Sequence, residues 1–272
     1  MKLGFTPLNA QILDLNEAFK LASELELQFV ELSFDAFEVL PSIQSVNSVK
    51  ELTRATGIGT TVHLSYVDLN IASLMPGVRE NSVARTNRGL EYAFEIGAML
   101  GVLHSGLIPL RHPLMKQFAE QKLEQSLTEI VPLVPVMLEN LALDGYDLLR
   151  GVVELEALTQ KAGEHFGNCL DVGHALVEGC STEVSDGSSS GGIDNGLKRL
   201  EEYLHGLSKL QHFHLQDNDG TSDAHNVLGT GKVAWQEMRE FLKNFSGTIN
   251  LEINGGADEV RSSVKFLREL LK

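Results

Sequence analysis

The chain has 272 residues, of which 43% are hydrophobic and 22% charged, enough apolar mass for one sizeable core and too little polarity for an extended disordered chain. A formal net charge of −15 repels phosphate backbones over the general surface, so a small molecule is a better-matched partner than nucleic acid. The two cysteines, Cys169 and Cys180, form no C-x-x-C pair and no disulfide framework, which fits a reducing cytoplasm.

Short apolar, β-prone runs alternate with longer helical patterns. Strands are predicted at Lys2–Thr6, Phe29–Ser33, Thr60–Leu64, Val102–Ser105, Val134–Asn140, Gly167–Asp171, His212–Leu215 and Thr248–Ile253. The opening Met1-Lys2-Leu3-Gly4-Phe5-Thr6 reads as the first of these strands rather than a secretory signal, and no apolar run is long enough to cross a bilayer. Between the strands lie amphipathic stretches such as Leu15–Leu25, Ser82–Leu100, Val152–Ala162 and Leu197–Leu207, and a further helix begins near Trp235. Such alternation implies parallel strands joined by crossover helices. Eight units in one chain point to a single (β/α)₈ TIM barrel, one domain over residues 1–272. Residues 181–195 are rich in Ser and Gly and predict a mobile loop after the sixth strand, read as a tolerated insertion rather than a working lid. Gly229-Thr230-Gly231 is too short for a nucleotide fingerprint and reads as a tight turn.

Histidines and acids recur where the strands end. His63 closes the third strand, His104 the fourth, Glu139 the fifth and Asp171 the sixth, with His174 one turn further on. His214 closes the seventh strand, Asp223 and His225 sit in the loop after it, and Glu252 closes the eighth. The C-terminal ends of barrel strands are where barrels build active sites. Carboxylates converging there would repel one another and lose hydration, and a divalent cation resolves both problems. Oxygen and nitrogen ligands without thiolate suit Zn²⁺, Mn²⁺, Co²⁺ or Mg²⁺. His212 shares a strand face with His214 and reads as a core residue or a support to the site. His112, His165 and His205 read as solvated.

The stretches His63-Leu-Ser-Tyr-Val-Asp-Leu-Asn-Ile-Ala-Ser, Leu-His104-Ser-Gly, Leu-Glu139-Asn, Cys-Leu-Asp171-Val-Gly-His174-Ala, His212-Phe-His214-Leu-Gln-Asp-Asn-Asp, Asp223-Ala-His225-Asn-Val-Leu-Gly-Thr-Gly and Leu-Glu252-Ile-Asn run in order from the third strand to the eighth. As a set they resemble the xylose-isomerase-like TIM-barrel superfamily, which holds sugar isomerases and epimerases together with the endonuclease IV family. The isomerase branch implies one metal held by Glu139, Asp171, His214 and Glu252. Glu139 and Glu252 would then be the catalytic pair, moving a proton beside the carbonyl of a small sugar or sugar phosphate through an enediolate. The endonuclease branch implies three zinc ions on all nine positions and cleavage of a phosphodiester at an apurinic site. A metal-dependent dehydratase or lyase on the same scaffold is a further possibility. Ala224, where the nucleases carry a basic residue, and the run Leu-Ala-Leu-Asp-Gly after the fifth strand depart from the nuclease pattern. A small polyhydroxy carbonyl substrate is therefore expected, with no membrane partner, and an oligomer is compatible with the sequence.

Overall fold

The computed structural model describes residues 1–39, 44–108, 110, 112–142, 148–149, 151–181 and 192–272. Eight parallel strands close into one barrel in chain order. They are β1 (Lys2–Phe5), β2 (Phe29–Ser33), β3 (Gly59–His63), β4 (Gly101–His104), β5 (Val136–Glu139), β6 (Phe166–Asp171), β7 (Leu210–Leu215) and β8 (Thr248–Leu251). β8 pairs back onto β1 and leaves no edge. The helices among the described residues are α1 (Leu15–Glu24), α2 (Phe34–Val39), α3 (Val46–Thr56), α4 (Pro76–Ile96), α5 (Pro113–Glu129), α6 (Val152–Ala162), α7 (Val172–Ser181), α8 (Ile193–Gly206), α9 (Trp235–Asn244) and α10 (Ala257–Leu270). None of the helices is long and apolar enough to cross a membrane. Most of the Ser/Gly-rich loop expected at 181–195 lies outside the described residues, as do residues 143–145 of the run after Glu139; Ser181 closes α7, and residues 193–195 open α8.

Local chemistry sets the boundaries. Pro135 has no N–H to give the ladder, so the fifth strand starts at Val136 and not at Val134. The fourth helix begins at Pro76, six residues before the expected Ser82, because proline is preorganised for a helix's first turn. It stops at Gly97, whose left-handed backbone caps it before the expected Leu100. The main core lies between strands and helices. A second buried cluster of Leu100, Val102, Met137 and Cys169 stands apart from it. Val102, Met137 and Cys169 each precede by two residues the His104, Glu139 and Asp171 that end their strands, and a period of two puts such pairs on one face. The inward face of the barrel therefore carries a lower layer beneath the site residues. Its other half is polar, with Glu31, Thr61, His212 and Asn250 all buried.

The loop after β7 is held from below by Asp217. Its carboxylate is fully buried and accepts four N–H donors: Asn218 N at 3.0 Å and Val233 N at 3.2 Å on Oδ1, with Gly229 N and Trp235 Nε1 both at 2.8 Å on Oδ2. Its backbone bridges antiparallel to Asn226, so the chain doubles back and projects Asp223 and His225 over the barrel mouth. Gly231 is packed so tightly against Asp217 and Asn218 that a Cβ there would overlap both, which accounts for the Gly-Thr-Gly turn ahead of α9. Asp217→Ala strands four buried donors at once. It is expected to cost about 3 kcal/mol or more and to lower Tm by roughly 5–10 °C. A calorimetric scan checks this, and an unchanged Tm would show that the loop holds itself.

Candidate metal centre

All nine sequence-derived positions meet at the C-terminal mouth of the barrel. They fall into groups whose ligand atoms lie within 4.8 Å of one another: Glu139, Asp171, His214 and Glu252; His63, His104 and Glu139; and His174, Asp223 and His225. Glu139 belongs to two groups and joins them. Its Oε1 is 2.9 Å from His214 Nδ1 and 3.6 Å from His174 Nδ1, and its Oε2 is 3.2 Å from His104 Nε2 and 3.5 Å from His63 Nε2. Asp223 Oδ2 lies 3.1 Å from His174 Nε2 and 3.0 Å from His225 Nε2. Glu252 Oε2 is 3.5 Å from His214 Nδ1. Asp171 caps α7 by accepting His174 N on Oδ1 at 2.7 Å and still contributes to the first group, so cap and ligand coincide in one residue.

Backbone carbonyls fix three of the imidazoles. Nδ1–H of His63 donates to Leu64 O at 3.0 Å, that of His174 to Asn140 O at 2.9 Å, and that of His225 to Glu252 O at 2.9 Å. Each ring then presents Nε2 to the centre, the arrangement that orients metal-bound histidines. His225 adopts a left-handed backbone with φ of 51°, a conformation costly for a residue with a side chain and held here by His225 N donating to Gln216 Oε1 at 3.0 Å. Gln216 also donates Nε2–H to Asp223.

His214 is turned the other way, with Nδ1 toward Glu139 and Glu252 and Nε2 at 2.9 Å from Glu31 Oε1, although its N–H does not point straight along that contact. Glu31 is fully buried and accepts from Thr61 Oγ1 at 2.8 Å, Asn250 Nδ2 at 2.9 Å and His212 Nε2 at 3.1 Å. His212 thus supports the site through Glu31. Glu31 itself was not singled out by the sequence motifs. The signal was present, because an acid inside the apolar run Phe-Val-Glu-Leu is as costly there as at Glu139.

The donor set fits a cation. Glu139 Oε2 and Asp171 Oδ2 are buried and accept no hydrogen bond, which is the state expected of oxygens arranged for a positive ion. Cys169 lies close to His212 and His214 and forms a further group with them, and burial pushes its thiol well up. Burial pushes Glu139 and Glu31 up, yet the His214 charge and the surrounding imidazole hydrogen bonds outweigh it and hold both carboxyls well below the usual range. Burial lifts Asp171 to about 6 against the pull of His174, with Asp223 and Glu139 adding to the rise. Burial pulls His63 and His225 down, but Glu139 lifts His63 to about 8, and the hydrogen bond to Asp223 with the charge of Glu252 lifts His225 to about 9.

Residues 19–270 match the xylose isomerase-like TIM barrel family. The chain belongs to that family. Among relatives of this xylose isomerase-like chain, the fructoselysine 3-epimerase of Escherichia coli O157:H7 is 24% identical, covering 93% of this chain and 90% of its own. The probable endonuclease 4 of Protochlamydia amoebophila is 32% identical, but over only 38% of this chain and 37% of its own. The crystal structure of a D-tagatose 3-epimerase-like protein superposes with a TM-score of 0.81 at 23% identity, covering 100% of this chain and 97% of that one, which shows the shared barrel.

Protons compete with a cation for these atoms. Affinity for a divalent ion is therefore expected to rise with pH from about 6, where Asp171 titrates, through about 8 and 9, where His63 and His225 do. Isothermal titration in buffers of different ionisation enthalpy counts the protons released. Uptake at pH 7 without proton release would contradict protonated His63 and His225.

Proposed function

We propose that this chain is a divalent-metal-dependent isomerase or epimerase of a small polyhydroxy carbonyl compound. The pairing of Glu139 with Glu252 supports this reading most strongly. They end β5 and follow β8, three places apart in a ring of eight strands, and with Asp171 and His214 they surround one cation position. Asp171 and His214 would hold the ion with them. A bound divalent cation supplies Lewis-acid polarisation of a carbonyl oxygen. The chain's own groups then move the proton. With one carboxylate on either side of the substrate carbon, Glu139 or Glu252 removes a proton beside the carbonyl and the other returns it, on the opposite face for epimerisation or on the neighbouring carbon for isomerisation. Thr6 Oγ1, 3.4 Å from Glu252 Oε1, helps to aim that carboxylate. The cup above these residues is about 110 Å³, sized for a few carbons. No Lys or Arg is among the described residues lining it. The epimerase relative that matches along most of the chain points the same way.

The test is carbon-bound deuterium. Manganese-loaded protein in D₂O, offered a panel of ketoses and aldoses together with alkyl- and aryl-substituted hydroxy-carbonyl compounds, is expected to place deuterium beside the carbonyl of at least one, as read by NMR. Glu139→Gln should lower that exchange by about 10²–10⁴-fold. Full exchange in Glu139→Gln, or none on any member of the panel at full metal content, sinks the proposal.

A second reading, a multinuclear zinc phosphodiesterase, is favoured by one observation: the groups His63–His104–Glu139 and His174–Asp223–His225 offer more ligands than one ion needs. Close-set ions clamp the attacking and leaving oxygens of a phosphodiester. Under this reading the native protein carries two or three equivalents of zinc per chain, His225→Ala loses one of them by mass spectrometry, and abasic duplex DNA is cut. One equivalent in both proteins rules it out.

A further inference from the structure

A second chamber opens beside the metal cup. It measures about 190 Å³ and shares a wall with the cup through Tyr66, His104, His174 and Asp223. Beyond that wall its lining is apolar: Leu69, Ile71, Leu103, Leu107, Leu141 and Ala142. The polar side chains outside the shared wall are Ser65, whose Oγ is buried, and Asn70, whose amide is taken up by backbone groups.

The chamber is built rigidly. Asn70 from the loop after β3 ties itself to the loop after β4, donating Nδ2–H to Leu107 O at 2.8 Å and accepting Leu107 N on Oδ1 at 3.1 Å. The same Oδ1 accepts Ala72 N at 3.0 Å. Gly106 has φ of 95°, and a Cβ there would sit 2.7 Å from Asn70 Oδ1, so the close approach of the two loops depends on glycine. An apolar cavity of about 150 Å³ is large enough to hold benzene. The chamber therefore has room for a phenyl ring or a chain of five or six carbons.

We infer that the substrate is not a bare sugar but a hydroxy-carbonyl compound extended by an apolar arm, the polar head binding in the metal cup and the arm in this chamber. This inference rests on the metal-dependent reading of the cup. A plain pentose or hexose carries a hydroxyl on every carbon but the carbonyl, and each one buried among these leucines without a partner would cost about 1–3 kcal/mol.

A series of n-alkyl hydroxamates tests it. The head chelates a metal through two adjacent oxygens, as a hydroxy-carbonyl group does, and only the tail varies. Dissociation constants of aceto-, butano- and hexanohydroxamate for the manganese-loaded protein are measured by calorimetry. Affinity is expected to rise roughly three- to fourfold per added methylene until the chamber is full. Ala142→Trp, which fills the chamber, should bring the ratio of hexano- to acetohydroxamate affinity close to one. Acetohydroxamate binding with no dependence on tail length in the native protein overturns the chamber and spares the metal centre. An undiminished ratio in a folded Ala142→Trp puts the tail elsewhere and also overturns it. If acetohydroxamate fails to bind the loaded protein, the reading of the cup fails and takes this inference with it.

Discussion

A buried carboxylate ringed by imidazoles is the constraint on which the rest of the molecule depends. Glu139 is 1% exposed, and nitrogens of His214, His104, His63 and His174 stand within 3.6 Å of its two oxygens. A charge so placed is tolerable only with opposite charge beside it. Protons on the histidines meet that need, and a cation meets it better, because it also draws on Asp171, Glu252 and Asp223. The carbonyl acceptors at Leu64, Asn140 and Glu252 then follow as a requirement. They hold the rings so that three Nε2 atoms face inward and do not rotate away.

The barrel supplies this convergence through its period of two. Inward positions recur at every second residue of each strand, so one layer of side chains ends in the site and the next lies beneath it. Half of that lower layer is packed with Val102, Met137 and Cys169, and the other half with the Glu31 network. The polar half lies under His214. Glu31 thus gives the inward-facing Nδ1 of His214 a counterpart on the opposite side of the ring, and Thr61, Asn250 and His212 satisfy its oxygens. This places two acids, Glu31 and Glu139, on either side of one imidazole.

Much of this was legible in the residues. An acid or histidine that closes an apolar strand has a physical cost, and that cost marked Glu139, Asp171, His214 and Glu252 without any contact being known. Asp223 and His225 were legible only through motif, since neither lies on a strand. The anchor that aims them, Asp217, is an ordinary loop aspartate until its four donors are seen. Glu31 obeyed the same rule as Glu139 but had no histidine near it in sequence to draw attention. The side chamber could not be read at all, because Leu69, Leu107 and Leu141 come from three different connections and Leu103 from β4, and only the closed barrel brings them together.

Cup and chamber divide recognition in a way that bears on both functional readings. The cup is polar and lined by carboxylates and imidazoles; the chamber is largely apolar. Ligand atoms alone leave both readings open, because one set of nine residues contains both the four-residue group and the two peripheral ones. The walls discriminate better. A phosphodiester backbone calls for cationic partners along its length, whereas the described walls beside the ligands are mostly leucines with an isoleucine, an alanine, a tyrosine, a glycine and the uncharged Ser65 and Asn70. Such walls reward a compact substrate whose charge or carbonyl ends at the metal and whose remainder sheds water. On the proposed reading, specificity would be set by the loops after β3, β4 and β5, and the chemistry by the strand ends beneath them.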